Sequence, residues 1–227
     1  MNSGGVMRWI SCAVTAFVLV APGTSLAQGF IQFNSPKDFF AVSFPGEPTV
    51  RDTTWTSEHG VPLPARVYSV ENVRGKYSMT VVDYKDAEKL SAERAKLCQQ
   101  NKGEGDACMN SWRSDVAGAI VFATFQFMKR DAKVTFYGWY VADLVSGHQL
   151  QLLNADESRT FATINMHGTR LYVLEASVPR GAPAPGLFQQ SLMFLDEQGR
   201  SLRYQTYYSH TYSDEWKFPA PPPPRAR

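Results

Sequence analysis

The side chains best suited to chemistry in this chain are four histidines, His59, His148, His167 and His210, and the cysteines Cys98 and Cys108. An imidazole titrates near neutral pH and can act as a base or bind a metal. No histidine, however, has a second histidine or a cysteine at metal-ligand spacing, and neither H-E-x-x-H nor C-x-x-C occurs. His167 is accounted for by the turn it shares with Gly168. A serine nucleophile on a strand-to-helix elbow needs G-x-S-x-G, and a phosphate cradle needs a P-loop or dinucleotide glycine pattern; the chain carries neither. The oxygen-rich loop Asn101–Asp106 lacks the D-x-[DN]-x-[DN]-G spacing that wraps calcium. We therefore expect no catalytic set, no metal site and no cofactor. Asp143, Ser146 and His148 share one loop and could approach each other, and on them rests the alternative of an envelope hydrolase.

Cys98 and Cys108 are separated by nine residues that include a Gly-rich loop. A redox pair usually has closer spacing, so a structural disulfide is expected, closing a short loop and adding about 2–3 kcal/mol through chain entropy. Aromatic side chains form the other distinctive group. Phe136, Tyr137, Trp139 and Tyr140 crowd one segment, and Tyr204, Tyr207, Tyr208, Tyr212 and Trp216 crowd the C-terminal part. The ordinary fate of such residues is packing in a core or along an edge strand. They also make the best candidate docking surface, with Tyr137, Trp139, Tyr140, Tyr207 and Tyr208 as its expected members.

The elements that must position these groups are organised around Gly147–Val178. Two strand-like runs there flank His167-Gly168, read as a two-residue type I′ turn between Met166 and Thr169. That register pairs Ile164 with Leu171 and Ala162 with Val173, and puts Phe161, Thr163, Tyr172 and Leu174 on the opposite face. Both faces are apolar, so this hairpin is expected in the centre of a sheet covered on both sides. A second hairpin joins Ala65–Val70 to Tyr77–Val82 through residues 73–76, and Arg51–Pro64 reads as an extended edge. Strands are also expected at Phe39–Phe44, Lys133–Val141 and Ser201–Tyr208. Asp86 caps a helix over Ala87–Gln100, and a second is expected over Leu187–Glu197, where Phe188, Leu192 and Leu195 share a face. The two hairpins, each followed by a helix, suggest a doubled β-β-α unit. The window Asp115–Lys129 suits either helix or strand; its stripe Val116, Ala119, Ile120, Ala123, Phe127 and the Ser114 cap favour helix.

Arg8, the apolar run Ala13–Ala21 and the small residues Ser25 and Ala27 read as a signal peptide over residues 1–27, cleaved before Gln28. We expect a periplasmic or secreted protein with no membrane span in the mature chain, since no apolar run reaches about 18 residues. Residues 28–212 are expected as one α+β domain. Residues 213–227, rich in proline, are expected as a disordered polyproline II tail. With 23 Lys+Arg against 21 Asp+Glu, there is no basic footprint for nucleic acid.

The strand ending in Phe44-Pro-Gly-Glu-Pro48, the return strand in Gly168-Thr-Arg-Leu-Tyr-Val-Leu-Glu-Ala176 and the segment Leu187-Phe-Gln-Gln-Ser-Leu-Met-Phe-Leu195 together resemble the PsbP-like α/β/α sandwich. The resemblance spans about Phe39 to Tyr208. It implies an antiparallel sheet flanked by helices, in a family of small, mostly non-enzymatic proteins of the photosynthetic lumen or bacterial envelope. It supplies no catalytic residue. The expected function is an exported, non-catalytic binding or accessory protein that docks an envelope protein or a small apolar ligand.

Overall fold

The computed structural model describes Met1 and residues 29–212. The expected signal peptide and the proline-rich tail lie outside the described residues. The chain is α+β, and its main element is an antiparallel sheet of seven strands. In chain order the strands are β1 (Ile31–Ser35), β2 (Phe40–Phe44), β3 (Thr49–Thr56), β4 (Pro62–Asn72) and β5 (Gly75–Asp83). Helices α1 (Ala87–Gln100) and α2 (Trp112–Met128) follow. Then come β6 (Ala132–Ala142), β7 (Val145–Asn154), β8 (Arg159–His167), β9 (Arg170–Val178), the short helix α3 (Gly186–Gln189) and β10 (Met193–Phe194). The large sheet runs β3-β4-β5-β9-β8-β7-β6, and β1-β2-β10 form a small second sheet.

The β8–β9 hairpin is central because both of its faces are apolar. Ala162, Ile164, Met166, Leu171 and Val173 pack under α2, while Phe161, Tyr172, Leu174 and Ala176 pack against the small sheet and Phe188. Full burial of a side chain such as Ile164 or Leu174 is worth about 1.5–3 kcal/mol. The turn lies one residue later than expected: Gly168 and Thr169 form the loop, with Gly168 at φ 54°. Ile164 thus faces Val173 and Met166 faces Leu171. A shift of every partner by two residues is even, so each side chain keeps its expected face. Gly168 is the one loop residue with positive φ, which fits a glycine-first II′ turn better than I′.

Helix α1 forms over the expected residues, and α2 settles the open choice at 115–129 as helix. Its apolar stripe is buried as expected, with Val116, Ala119, Ala123 and Phe127 in the core. The helix begins earlier than the expected Ser114 cap, with Ser111 at its N-cap. Cys98 at the end of α1 is bonded to Cys108. Gly103 lies against that bridge: a Cβ there would sit 2.5 Å from Cys98 Sγ.

Three expectations that involve the C-terminal end are corrected. The helix over Leu187–Glu197 is only the single turn of α3. Ser191 ends it: its hydroxyl donates to the Phe188 carbonyl and accepts the Ser43 amide. Phe194 falls off the Phe188–Leu192–Leu195 helical stripe, yet it is fully buried against Tyr172 and His167. Pairing Met193 and Phe194 with the open edge of β2 achieves that burial. The doubled β-β-α unit is therefore not formed, since α1 and α3 also pack on opposite faces of the large sheet. The strand expected over Ser201–Tyr208 is reduced to two isolated bridges, Leu195↔Ser201 and Val145↔Tyr208. Tyr204 and Tyr208 hold that segment by their rings instead, Tyr204 meeting the His167 ring edge-on and Tyr208 lying tilted against it.

Candidate functional site

Strand β6 ends the large sheet at one edge, and the aromatic cluster lies on it. It pairs with β7 through Tyr137↔Leu150 and Trp139↔His148, with a bulge between Val134 and Phe136. Alternation along the strand puts Tyr137 and Trp139 on the α2 side and Phe136 and Tyr140 on the other. Phe136 lies over Gly138, where an added Cβ would meet its ring at 3.0 Å.

The link from β6 to the helix layer is a short polar chain. Thr124 Oγ1 donates to the Ile120 carbonyl at 2.8 Å, so its oxygen accepts from His148 Nδ1 at 2.9 Å. Nδ1 of His148 therefore carries the proton, and Tyr137 Oη lies 3.4 Å from it. Burial holds this imidazole below its ordinary pKa, so it is neutral at neutral pH. Val121 and Phe125, a turn apart beside Thr124, are 60% and 51% exposed. Tyr137, Trp139 and Tyr207 are 49%, 65% and 64% exposed, and Trp139 packs on Tyr207 with ring centroids 5.7 Å apart. Exposed apolar side chains thus stand on the outer side of α2 and, across the Thr124–His148–Tyr137 link, on the rim of β6.

The expected docking set divides. Tyr137, Trp139 and Tyr207 project to solvent. Tyr140 is half-buried on the opposite face, its hydroxyl donating to the Gln189 carbonyl at 3.3 Å, and burial raises its pKa. Tyr208 is half-buried as well; its hydroxyl accepts the Gly168 amide at 3.0 Å and its ring stacks on Tyr204. Val121 and Phe125 were hidden from the sequence reading because the stripe of α2 defined only its buried side.

The hydrolase alternative at Asp143, Ser146 and His148 does not assemble. Asp143 and Leu144 form the β6–β7 turn at φ 48° and 65°. The Ser146 amide donates to the Tyr208 carbonyl, and His148 Nδ1 is engaged by Thr124 and Tyr137 in place of Asp143 or Ser146. His167 is packed among Phe194, Tyr204 and Tyr208. His210 Nε2 donates to the Val116 carbonyl at 3.1 Å.

One histidine does meet a carboxylate. Asp115, in the first turn of α2, is buried and accepts from Ser57 Oγ (2.8 Å), the His59 amide (3.0 Å) and His59 Nδ1 (2.9 Å). Ser57 Oγ also accepts the Val61 amide. The serine is bonded to the aspartate and not to the imidazole, and the cluster clamps the Ser57–Val61 turn onto α2. No sequence signal links these residues, because the contact spans 56 positions. Among the described residues no group of three or more His, Cys, Asp or Glu converges as a metal site would require, and no helix is long and apolar enough to cross a membrane.

The described residues also line grooves elsewhere, two of them larger than 400 Å³. One of about 460 Å³, between Phe30, Tyr77, Pro183 and Leu187, is mainly apolar. The other, of about 410 Å³, runs beside Arg66, whose guanidinium holds Asp38 at 2.6 Å and Asp52 at 2.8 Å. Tyr68 Oη also donates to Asp38 at 2.5 Å, so this carboxylate ties the small sheet to the large one.

No protein-family model matches the chain, and no curated protein matches it. Among solved structures it is similar to the solution structure of cyanobacterial PsbP (CyanoP) from Synechocystis sp. PCC 6803. The similarity is 14% in identity with a TM-score of 0.36, and it covers 71% of this chain and 86% of that one.

Proposed function

We propose that this chain is a non-catalytic binding protein of an exported, oxidising compartment, and that it docks a protein or an apolar ligand through the aromatic rim of β6. The observation that carries this reading is the joint exposure of Tyr137 and Trp139, with Tyr207 packed on Trp139, at a strand edge that pairs with no other strand among the described residues. Exposed apolar surface of this kind marks interaction sites. An unpaired edge strand usually carries charge or proline to prevent association. Within β6, Lys133 is the one charged residue, and it and the bulge at Val134–Phe136 lie near one end, so the stretch from Tyr137 to Ala142 carries neither device. The Cys98–Cys108 bridge supports the compartment, because such bonds persist where conditions are oxidising. The polar clusters support a scaffold in preference to an enzyme, since each histidine is held by packing or by a clamp.

Anilinonaphthalene sulfonate, a dye that brightens on apolar surface, tests the site. Trp139→Ala combined with Tyr207→Ala should remove most of its fluorescence gain and leave the melting temperature unchanged. Leu187→Ser, in the 460 Å³ groove, should leave the gain intact. The reverse pattern would move the site to that groove and defeat the reading.

A further inference from the structure

We infer that a second copy of this chain is what docks on β6, through antiparallel pairing of the two β6 strands about a two-fold axis at Gly138. The inference rests on the reading of β6 as a docking surface. Among the described residues, strand β6 has β7 on one side and no strand on the other, which leaves its outer amides and carbonyls to a new strand. A two-fold axis makes the same patch meet itself, so the patch must be self-complementary.

The order of residues meets that requirement. Centred on Gly138, the pairing sets Tyr137 against Trp139 of the second copy, and Trp139 against its Tyr137. On the opposite face it sets Phe136 against Tyr140, again twice. Aromatic cross-strand pairs of this kind stabilise antiparallel sheets. Glycine at the axis carries no side chain of its own, and the Phe136 ring lies over it. Lys133 then falls within a residue of Asp143 of the second copy, the offset being the residue taken up by the bulge at Val134–Phe136. That pairing of opposite charges occurs at both ends. Moving the axis to Tyr137 instead would set Trp139 against Thr135 and bring Asp131 toward Asp143, like against like. Of these two registers, charge and ring pairing both favour the one centred on Gly138.

Sedimentation equilibrium of the oxidised full chain tests the inference. A monomer–dimer equilibrium is expected, with Trp139→Glu lowering the association constant at least about tenfold, as for a central tryptophan anchor. Register is read separately. Gly138→Cys should cross-link into a disulfide dimer on mild oxidation, because facing residues of an antiparallel pair lie within disulfide reach. The exposed Phe136 ring can turn aside to admit that side chain. Lys89→Cys, exposed on α1, should not cross-link. A chain that stays monomeric at every concentration, a dimer indifferent to Trp139→Glu, or a Gly138→Cys variant that fails to cross-link would each overturn the inference. If the monomeric chain still brightens the dye through Trp139, only the second copy is refuted; if it does not, the docking surface falls with it.

Discussion

Asp115 shows how a single buried carboxylate can hold two distant parts of a chain. It receives three donors from Ser57 and His59 at the start of α2. Asp115→Ala leaves those donors without an acceptor and should cost about 3 kcal/mol in a urea melt. Asp115→Asn, which keeps one acceptor oxygen, should cost less; equal stability of wild type and alanine variant would contradict the clamp. Histidine burial gives a second residue-scale effect. His148 and His210 are both held below the ordinary imidazole value of about 6.5, chiefly by burial. The unfolded chain therefore binds protons that the folded chain refuses. Stability is complete above about pH 6.5 and declines as the pH falls through the window below it. His210→Gln should flatten the fall in melting temperature across that window, and an unchanged slope would show that His210 does not contribute.

At the scale of elements, Gly147 shows a constraint of close approach. A Cβ there would lie 2.2 Å from the Ile164 carbonyl oxygen and 2.3 Å from Asn165 Nδ2. Asn165 is fully buried and donates to the Val145 carbonyl, so it cannot swing aside without losing a bond. Gly147→Ala should destabilise the chain by about 2 kcal/mol or more; a change within about 0.5 kcal/mol would refute the crowding. Elements with a strong local period were legible in the sequence. The stripe from Val116 to Phe127 identified α2, and two-sided apolar alternation identified β8 and β9 with the right faces in spite of a displaced turn. Met193 and Phe194 were not legible, because β10 exists only where the open edge of β2 receives it. The segment around Tyr204 and Tyr208 failed for a related reason: its aromatic residues look like a strand, but their rings are used on His167. The rim itself was half legible. Sequence marked where aromatic residues cluster, and only packing separates the exposed Trp139 and Tyr207 from the half-buried Tyr140 and Tyr208.

For the whole molecule, the central fact is an asymmetry between the two ends of the large sheet. On one face the sheet is covered by α1 and α2 and on the other by the small sheet, so its interior strands are sealed. The β3 edge carries mostly polar residues, Thr49, Arg51, Asp52, Thr53 and Thr54 among them, while the β6 edge carries exposed rings. Charged and polar edges resist pairing, and apolar edges invite it. Among the described residues the sheet thus has one polar rim and one apolar rim, and the docking role is proposed for the apolar one. Hydroxyl-radical footprinting of the dilute chain tests that assignment most directly. Tyr137, Trp139 and Tyr207 should be oxidised markedly faster than Tyr140 and Tyr208. Protection of Trp139 to the level of Tyr140 in the monomer would mean that the rim is closed, and the binding role proposed for it would have no surface to act through.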